Sequence, residues 1–130
     1  MTAESPRVLL VDDKPEILTT LTRFLALKGY SVEVATSIAE ATPLLEQRSF
    51  QAVVLDLRLG PDSGLDLLQF IREHESLRDL PAVMLTGASL TREEQTLVAR
   101  YKAHVFFKPR SYEALTTYLD RVTRKPLAPS

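Results

Sequence analysis

The sequence of 130 residues contains no cysteine, which excludes disulfides, thiolate metal sites and thiol nucleophiles. Long hydrophobic runs are missing as well. Stretches such as Val8 to Val11 and Val53 to Leu55 are strand-sized, far short of a membrane span. The opening residues MTAESPR lack the basic and apolar regions of a signal peptide, so a cytoplasmic protein is the simplest reading. No basic stripe stands out among 16 basic and 17 acidic residues, and neither nucleic acid nor membrane is an expected direct partner. Internal repeats and low-complexity segments are absent too. What remains is enough chain for one domain and too little for two, with an ordinary hydrophobic fraction of 45%.

What is present is an alternation. RVLLV at Arg7 to Val11 reads as a strand, and apolar residues from Ile17 to Leu27 then recur three and four apart, with Gly29 placed as a left-handed C-terminal cap. SVEVA at Ser31 to Ala35 alternates, which suits a strand near a sheet edge. Ser37 with Glu40 predicts a capping box, and Pro43 should kink or shorten the helix that follows. QAVVLD at Gln51 to Asp56 reads as a central strand buried on both faces. The turn GPDSG leads to a helix starting at Ser63 or Gly64. PAVMLT at Pro81 to Thr86 predicts the fourth strand, and Thr91 with Glu94 caps a helix through Tyr101. AHVFFK at Ala103 to Lys108 predicts the fifth strand, and Ser111 opens a last helix ending near Val122. Five such units predict a doubly wound α/β domain with a five-stranded parallel sheet covered by helices on both faces. Its expected span is 7–123, between an N-terminal tail at 1–6 and, at 124–130, a C-terminal tail or the start of a linker.

Ligands of such sheets bind beyond the carboxyl ends of the strands. There the sequence places Asp12 and Asp13, Asp56, Thr86 and Lys108, from four different strands. Taken singly, an aspartate after a strand is ordinarily a helix cap, and a lone threonine or Lys-Pro an ordinary turn residue. Their convergence on one rim is what points to chemistry. Neighbouring carboxylates repel one another unless a cation is shared, and oxygen-only ligands favour Mg²⁺ over Zn²⁺. Lys108 would neutralise a phosphate oxygen and Thr86 would hydrogen-bond another, the arrangement that phosphoryl transfer to a carboxylate needs.

At these residues the sequence resembles the receiver domains of two-component response regulators. The similarity rests on VDD at Val11 to Asp13, LDLRLGPDSGLDLL at Leu55 to Leu68, LTG at Leu85 to Gly87 and FKP at Phe107 to Pro109, and covers about Arg7 to Val122. The resemblance implies a flavodoxin-like strand order, 2-1-3-4-5, and a signalling module that is no enzyme beyond its own phosphorylation and dephosphorylation. It implies Asp56 as phosphoacceptor, with Thr86 and Lys108 on the phosphoryl group. Mg²⁺ would be held by Asp13 and Asp56 directly, by Asp12 through water, and by the backbone carbonyl of Arg58. The Lys108–Pro109 peptide would be cis. The donor would be a phosphohistidine of a histidine kinase or phosphotransfer protein. The face of the fourth helix, fifth strand and fifth helix would change, and would serve a downstream partner, an output domain or a homodimer.

This sequence departs from the family where an aromatic residue usually stands three positions before the lysine. Here that position is Val105, followed by Phe106 and Phe107, of which strand alternation lets only one share its face. Gly60-Pro61 also shifts the usual proline by one residue, which predicts a changed loop shape. Arg58 and Ala88, two residues beyond Asp56 and Thr86, occupy positions that the resemblance connects with phosphate lifetime. His74 and His104 sit off the rim, so surface or satisfied structural roles are expected, and Phe70, Phe106 and Phe107 read as core. Three other readings compete. A flavin binder would need a Ser/Thr/Gly-rich cradle after the first strand, where Asp12 and Asp13 stand. A Mg²⁺-dependent phosphatase would need a second acid beside Asp56 and a substrate cap. A receiver module excised from a larger regulator or hybrid kinase, or a phosphorylation-independent scaffold, would keep the same fold.

Overall fold

Strict alternation of branched side chains builds the centre of the molecule, seen in a computed structural model that describes residues 5–87, 89–108 and 112–123. Strands β1 (Arg7–Val11), β2 (Ser31–Ala35), β3 (Ala52–Asp56), β4 (Ala82–Thr86) and β5 (His104–Phe107) pair in parallel. Their order is β2-β1-β3-β4-β5, the flavodoxin-like order expected. Every residue of β3 and β4 is buried, because helices cover both faces. Val8, Leu10, Val54, Val83 and Leu85 point to one side, against α1 (Pro15–Leu27) and α5 (Tyr112–Thr123). Leu9, Val11, Val53, Leu55 and Met84 point to the other, against α2 (Ile38–Gln47), α3 (Gly64–Glu73) and α4 (Arg92–Arg100). That two-residue period is what turns a linear sequence into a three-layer core.

Three local details differ from expectation. The Ser37 box is only half-formed: Ser37 Oγ accepts from the Glu40 amide at 3.1 Å. Glu40 reaches past it and accepts instead from the Thr36 amide at 2.7 Å and the Thr36 hydroxyl at 2.8 Å. Those bonds, the amide first, hold the Glu40 carboxyl below its usual range. Helix α2 also runs through Pro43 without a break. The proline removes one backbone bond, while burial of Ala41 and Leu45 keeps the turns on either side seated. Finally, the GPDSG turn carries a two-residue antiparallel ladder, Arg58–Leu59 against Asp62–Ser63, that no periodicity could reveal. Gly60 forms its apex at φ +62°, a conformation that glycine adopts without strain.

Two further features hold α3 against the site-bearing strands. Ser63 caps α3 through its hydroxyl, which accepts from the Leu65 amide at 3.1 Å. At the other end of α3, Arg72 donates to the carbonyls of Tyr101 and Leu80, both at 2.7 Å, and of Arg78 at 3.0 Å. This one guanidinium ties α3 to the segment before β4 and to the end of α4. Ser111 and Pro109 lie outside the described residues, and with them the expected start of the last helix and the Lys108–Pro109 peptide.

Candidate functional site

Asp12 follows β1 and Asp56 ends β3, its neighbour in the sheet. Asp12 is 1% and Asp56 4% exposed, a burial that carboxylates tolerate only with partners. Partners are there. Carboxylate oxygens of Asp12, Asp13 and Asp56 lie within 4.8 Å of one another. Lys108, just past β5, sets its ammonium 2.7 Å from Asp12 Oδ2 and 3.4 Å from Asp56 Oδ2. The Lys108 amide donates to the Thr86 carbonyl at 2.8 Å, and Thr86 is itself 1% exposed at the end of β4. The structure therefore gathers Asp12, Asp13, Asp56 and Lys108 into one contact network, with Thr86 on the adjoining strand end. A hard cation fits this donor set: three acids offer only oxygen, and no histidine or cysteine is among them.

One residue of the cluster escaped the sequence reading. Lys14 donates to Asp56 Oδ2 at 3.0 Å and lies 3.4 Å from Asp13 Oδ1. It occupies the N-cap of α1 without capping through its side chain. Instead its amide donates to Asp12 Oδ1 at 2.9 Å, and its carbonyl accepts from Ile17 and Leu18 at 3.1 Å. Neither Asp12 nor Asp13 is thus the N-cap. The hydrogen bond to Asp56 holds the Lys14 ammonium above the ordinary lysine range. The pair's contribution to stability is therefore complete below that range, and alkaline pH removes it only on passing the raised value. The signal in the sequence was its position alone, a flexible cationic stem next to two rim acids.

The loop after β3 is drawn to the same place, since the Gly60 amide donates to Asp13 Oδ2 at 2.8 Å. Arg58 behaves differently from the other expected site residues. Its guanidinium turns to Glu94 at 3.6 Å, and its backbone runs in the short ladder beside Ser63. Glu94 completes the predicted capping box of α4: the Thr91 amide donates to its carboxylate at 2.8 Å, and its own amide donates to Thr91 Oγ1 at 3.0 Å. Arg58 therefore connects the segment after Asp56 to the first turn of α4. Thr91→Ala should lower stability by about 1 kcal/mol, read as a shift in the urea midpoint at constant slope. Ala88 lies outside the described residues.

A family model described as the response regulator receiver domain matches residues 8–120. The chain belongs to that family. Among curated relatives, this receiver domain is 50% identical over 66 residues to the alginate biosynthesis transcriptional regulatory protein AlgB of Pseudomonas putida, covering 51% of the chain and 15% of AlgB. It is 39% identical over 80 residues to the acid tolerance regulatory protein ActR of Sinorhizobium medicae, covering 62% of the chain and 40% of ActR. The matched stretch thus spans less than half the length of these relatives. Among solved structures, the chemotaxis response regulator CheY4 of Vibrio cholerae superposes with a TM-score of 0.81 at 26% identity, covering 91% of this chain and 98% of that one. TrrA of Thermotoga maritima, solved with Mg²⁺ and BeF, gives 0.79 at 26% identity, covering 90% and 98%. Receiver domains are signalling domains, and among the described residues no helix is long and apolar enough to cross a membrane.

The residues around the receiver site follow strand alternation. Val105 packs into the core on the α4 side, while Phe106 turns to the other face and meets Tyr118 edge-on at 6.1 Å between ring centroids. Phe107 returns to the face of Val105, but it is 50% exposed and does not join the core as expected. It stands in register with Thr86 at the end of β5. Phe70 packs against the core from α3. His74 caps the end of α3 and its Nδ1 accepts from the Ser76 amide at 3.2 Å, and His104 stacks on Tyr118 at 4.5 Å. Neither histidine belongs to the acidic cluster at the rim.

Proposed function

We propose that this receiver domain is a phosphorylation-controlled signalling switch in which Asp56 takes a phosphoryl group from a phosphohistidine of a histidine kinase or phosphotransfer protein. The observation that carries the reading is the pairing of a buried Asp56 with two neighbouring acids and with Lys108 at one rim. Asp13 and Asp56, with Asp12 through water and the Arg58 carbonyl, would hold Mg²⁺. When bound, the ion would neutralise charge on the phosphoryl oxygens. Lys108 starts 3.4 Å from Asp56 and can pair with a phosphoryl oxygen there without leaving the rim. Thr86 ends the neighbouring strand and would donate its hydroxyl to another. The metal and beryllofluoride in the structure of TrrA support this assignment.

A phosphoryl group adds roughly −1.5 to −2 of charge at the rim. Drawing Thr86 and Lys108 toward it would shift the populations of the α4–β5–α5 face, for a downstream partner, an output domain or a second copy. The module proper would span 7–123 and act in the cytoplasm. A second reading, a receiver module within a larger regulator, is favoured by the greater length of AlgB and ActR. Incubation with Mg²⁺ and acetyl phosphate should add one phosphoryl group per chain, detected by intact mass and lost on adding a chelator beforehand. No Mg²⁺-dependent modification of the wild type would sink the proposal and leave the phosphorylation-independent scaffold.

A further inference from the structure

We propose that Lys14 is a resident counter-cation of the site, one that a divalent ion must displace from Asp13 and Asp56 before phosphorylation. The inference rests on the reading of those two residues as the direct metal ligands. Lys14 Nζ bridges that very pair, 3.0 Å from Asp56 Oδ2 and 3.4 Å from Asp13 Oδ1. A cation coordinated by both carboxylates and an ammonium bridging them compete for the same oxygens, and at such separations like charges repel strongly.

The two lysines are not equivalent. Lys108 and Lys14 both approach Asp56 Oδ2, but the Lys108 side chain is 11% exposed and is anchored on Asp12 at 2.7 Å. Asp12 would meet the metal only through water, so Lys108 can stay in place. The Lys14 side chain is 49% exposed, with four methylenes free to swing into solvent. Three carboxylates and two ammonium groups leave one net negative charge in the cluster. A divalent ion added with Lys14 in place would reverse that sign. With the ion bound and Lys14 gone the site is neutral. Lys14 thus sets a threshold: it neutralises Asp56 at low metal and yields at higher metal.

Calorimetric titration with Mg²⁺ at fixed ionic strength tests this on wild type, Lys14→Met and Lys14→Arg, each first shown to be folded by circular dichroism. Since Lys14 makes no side-chain cap, the methionine variant should keep α1. Lys14→Met should bind Mg²⁺ roughly two- to fivefold tighter, the scale of a half-exposed ion pair, and Lys14→Arg should stay near wild type. Equal or weaker binding by Lys14→Met beside normal binding by the wild type overturns the role of Lys14 alone. Binding of Mg²⁺ by none of the three overturns it together with the metal reading beneath it.

Discussion

Asp56→Asn should take no phosphoryl group from any donor, yet unfold within about 1 kcal/mol of the wild type. An amide oxygen is no nucleophile toward a phosphoryl group, so the loss should be complete and not partial. Stability is a separate matter. Asparagine keeps the shape of a side chain that is 4% exposed, and its carbonyl can still accept from Lys14. Neither lysine is orphaned: Lys108 keeps Asp12 at 2.7 Å and Lys14 keeps Asp13 at 3.4 Å. Removing one of three crowded carboxylates also relieves repulsion, which offsets the lost pairing. Mg²⁺ affinity should fall roughly tenfold or more, because a charged ligand has become a neutral one. Urea unfolding, intact mass and Mg²⁺ calorimetry read the three outcomes. Loss of phosphorylation together with global unfolding would mean that Asp56 serves the fold, contrary to the proposal.

Much of this was readable in the sequence because the fold is written in two periods. Val8, Leu9, Leu10 and Val11 had to face opposite layers, and a strand hydrophobic on both faces has to be covered on both. Once the order of strands and helices is known, the placement of Asp12, Asp56 and Lys108 at one rim follows from topology alone. What stayed hidden depends on side-chain reach and not on position. Lys14 is adjacent to the site residues in sequence, but its long stem could have pointed anywhere. Arg58 stands at a position that the resemblance connects with phosphate lifetime, and where its guanidinium goes could not be read from that position: Glu94, on the next helix but one along the chain, takes it at 3.6 Å. Phe107 looked like core because it is aromatic. Strand alternation put it on the α4 face, and its place at the strand end left it half-exposed.

Gly64→Ala should cost roughly 3 kcal/mol or more and disturb the site from behind. A methyl at this position would sit 2.1 Å from the carbonyl oxygen of Asp56, and 3.1 Å from both the Asp56 carbonyl carbon and Leu55 Cδ1. The first obstacle is backbone, and no rotamer change can remove it. Gly64 is also held there, because its amide donates to the Leu57 carbonyl at 2.6 Å. Alanine's better helix propensity returns at most about 1 kcal/mol, so the clash wins. Relief must come from moving α3 or the end of β3, and the latter carries Asp56. The variant should therefore lose Mg²⁺ affinity along with stability. Gly60→Ala is the control: its φ of +62° strains any other residue, yet the nearest atom to the added methyl is Asp13 Oδ2 at 3.9 Å. That substitution should cost only about 1 kcal/mol, through backbone strain without collision. Urea midpoints of the two variants separate the mechanisms. Equal losses would mean that the contact between α3 and the end of β3 has slack, and that the position of Asp56 is not set by the helix behind it.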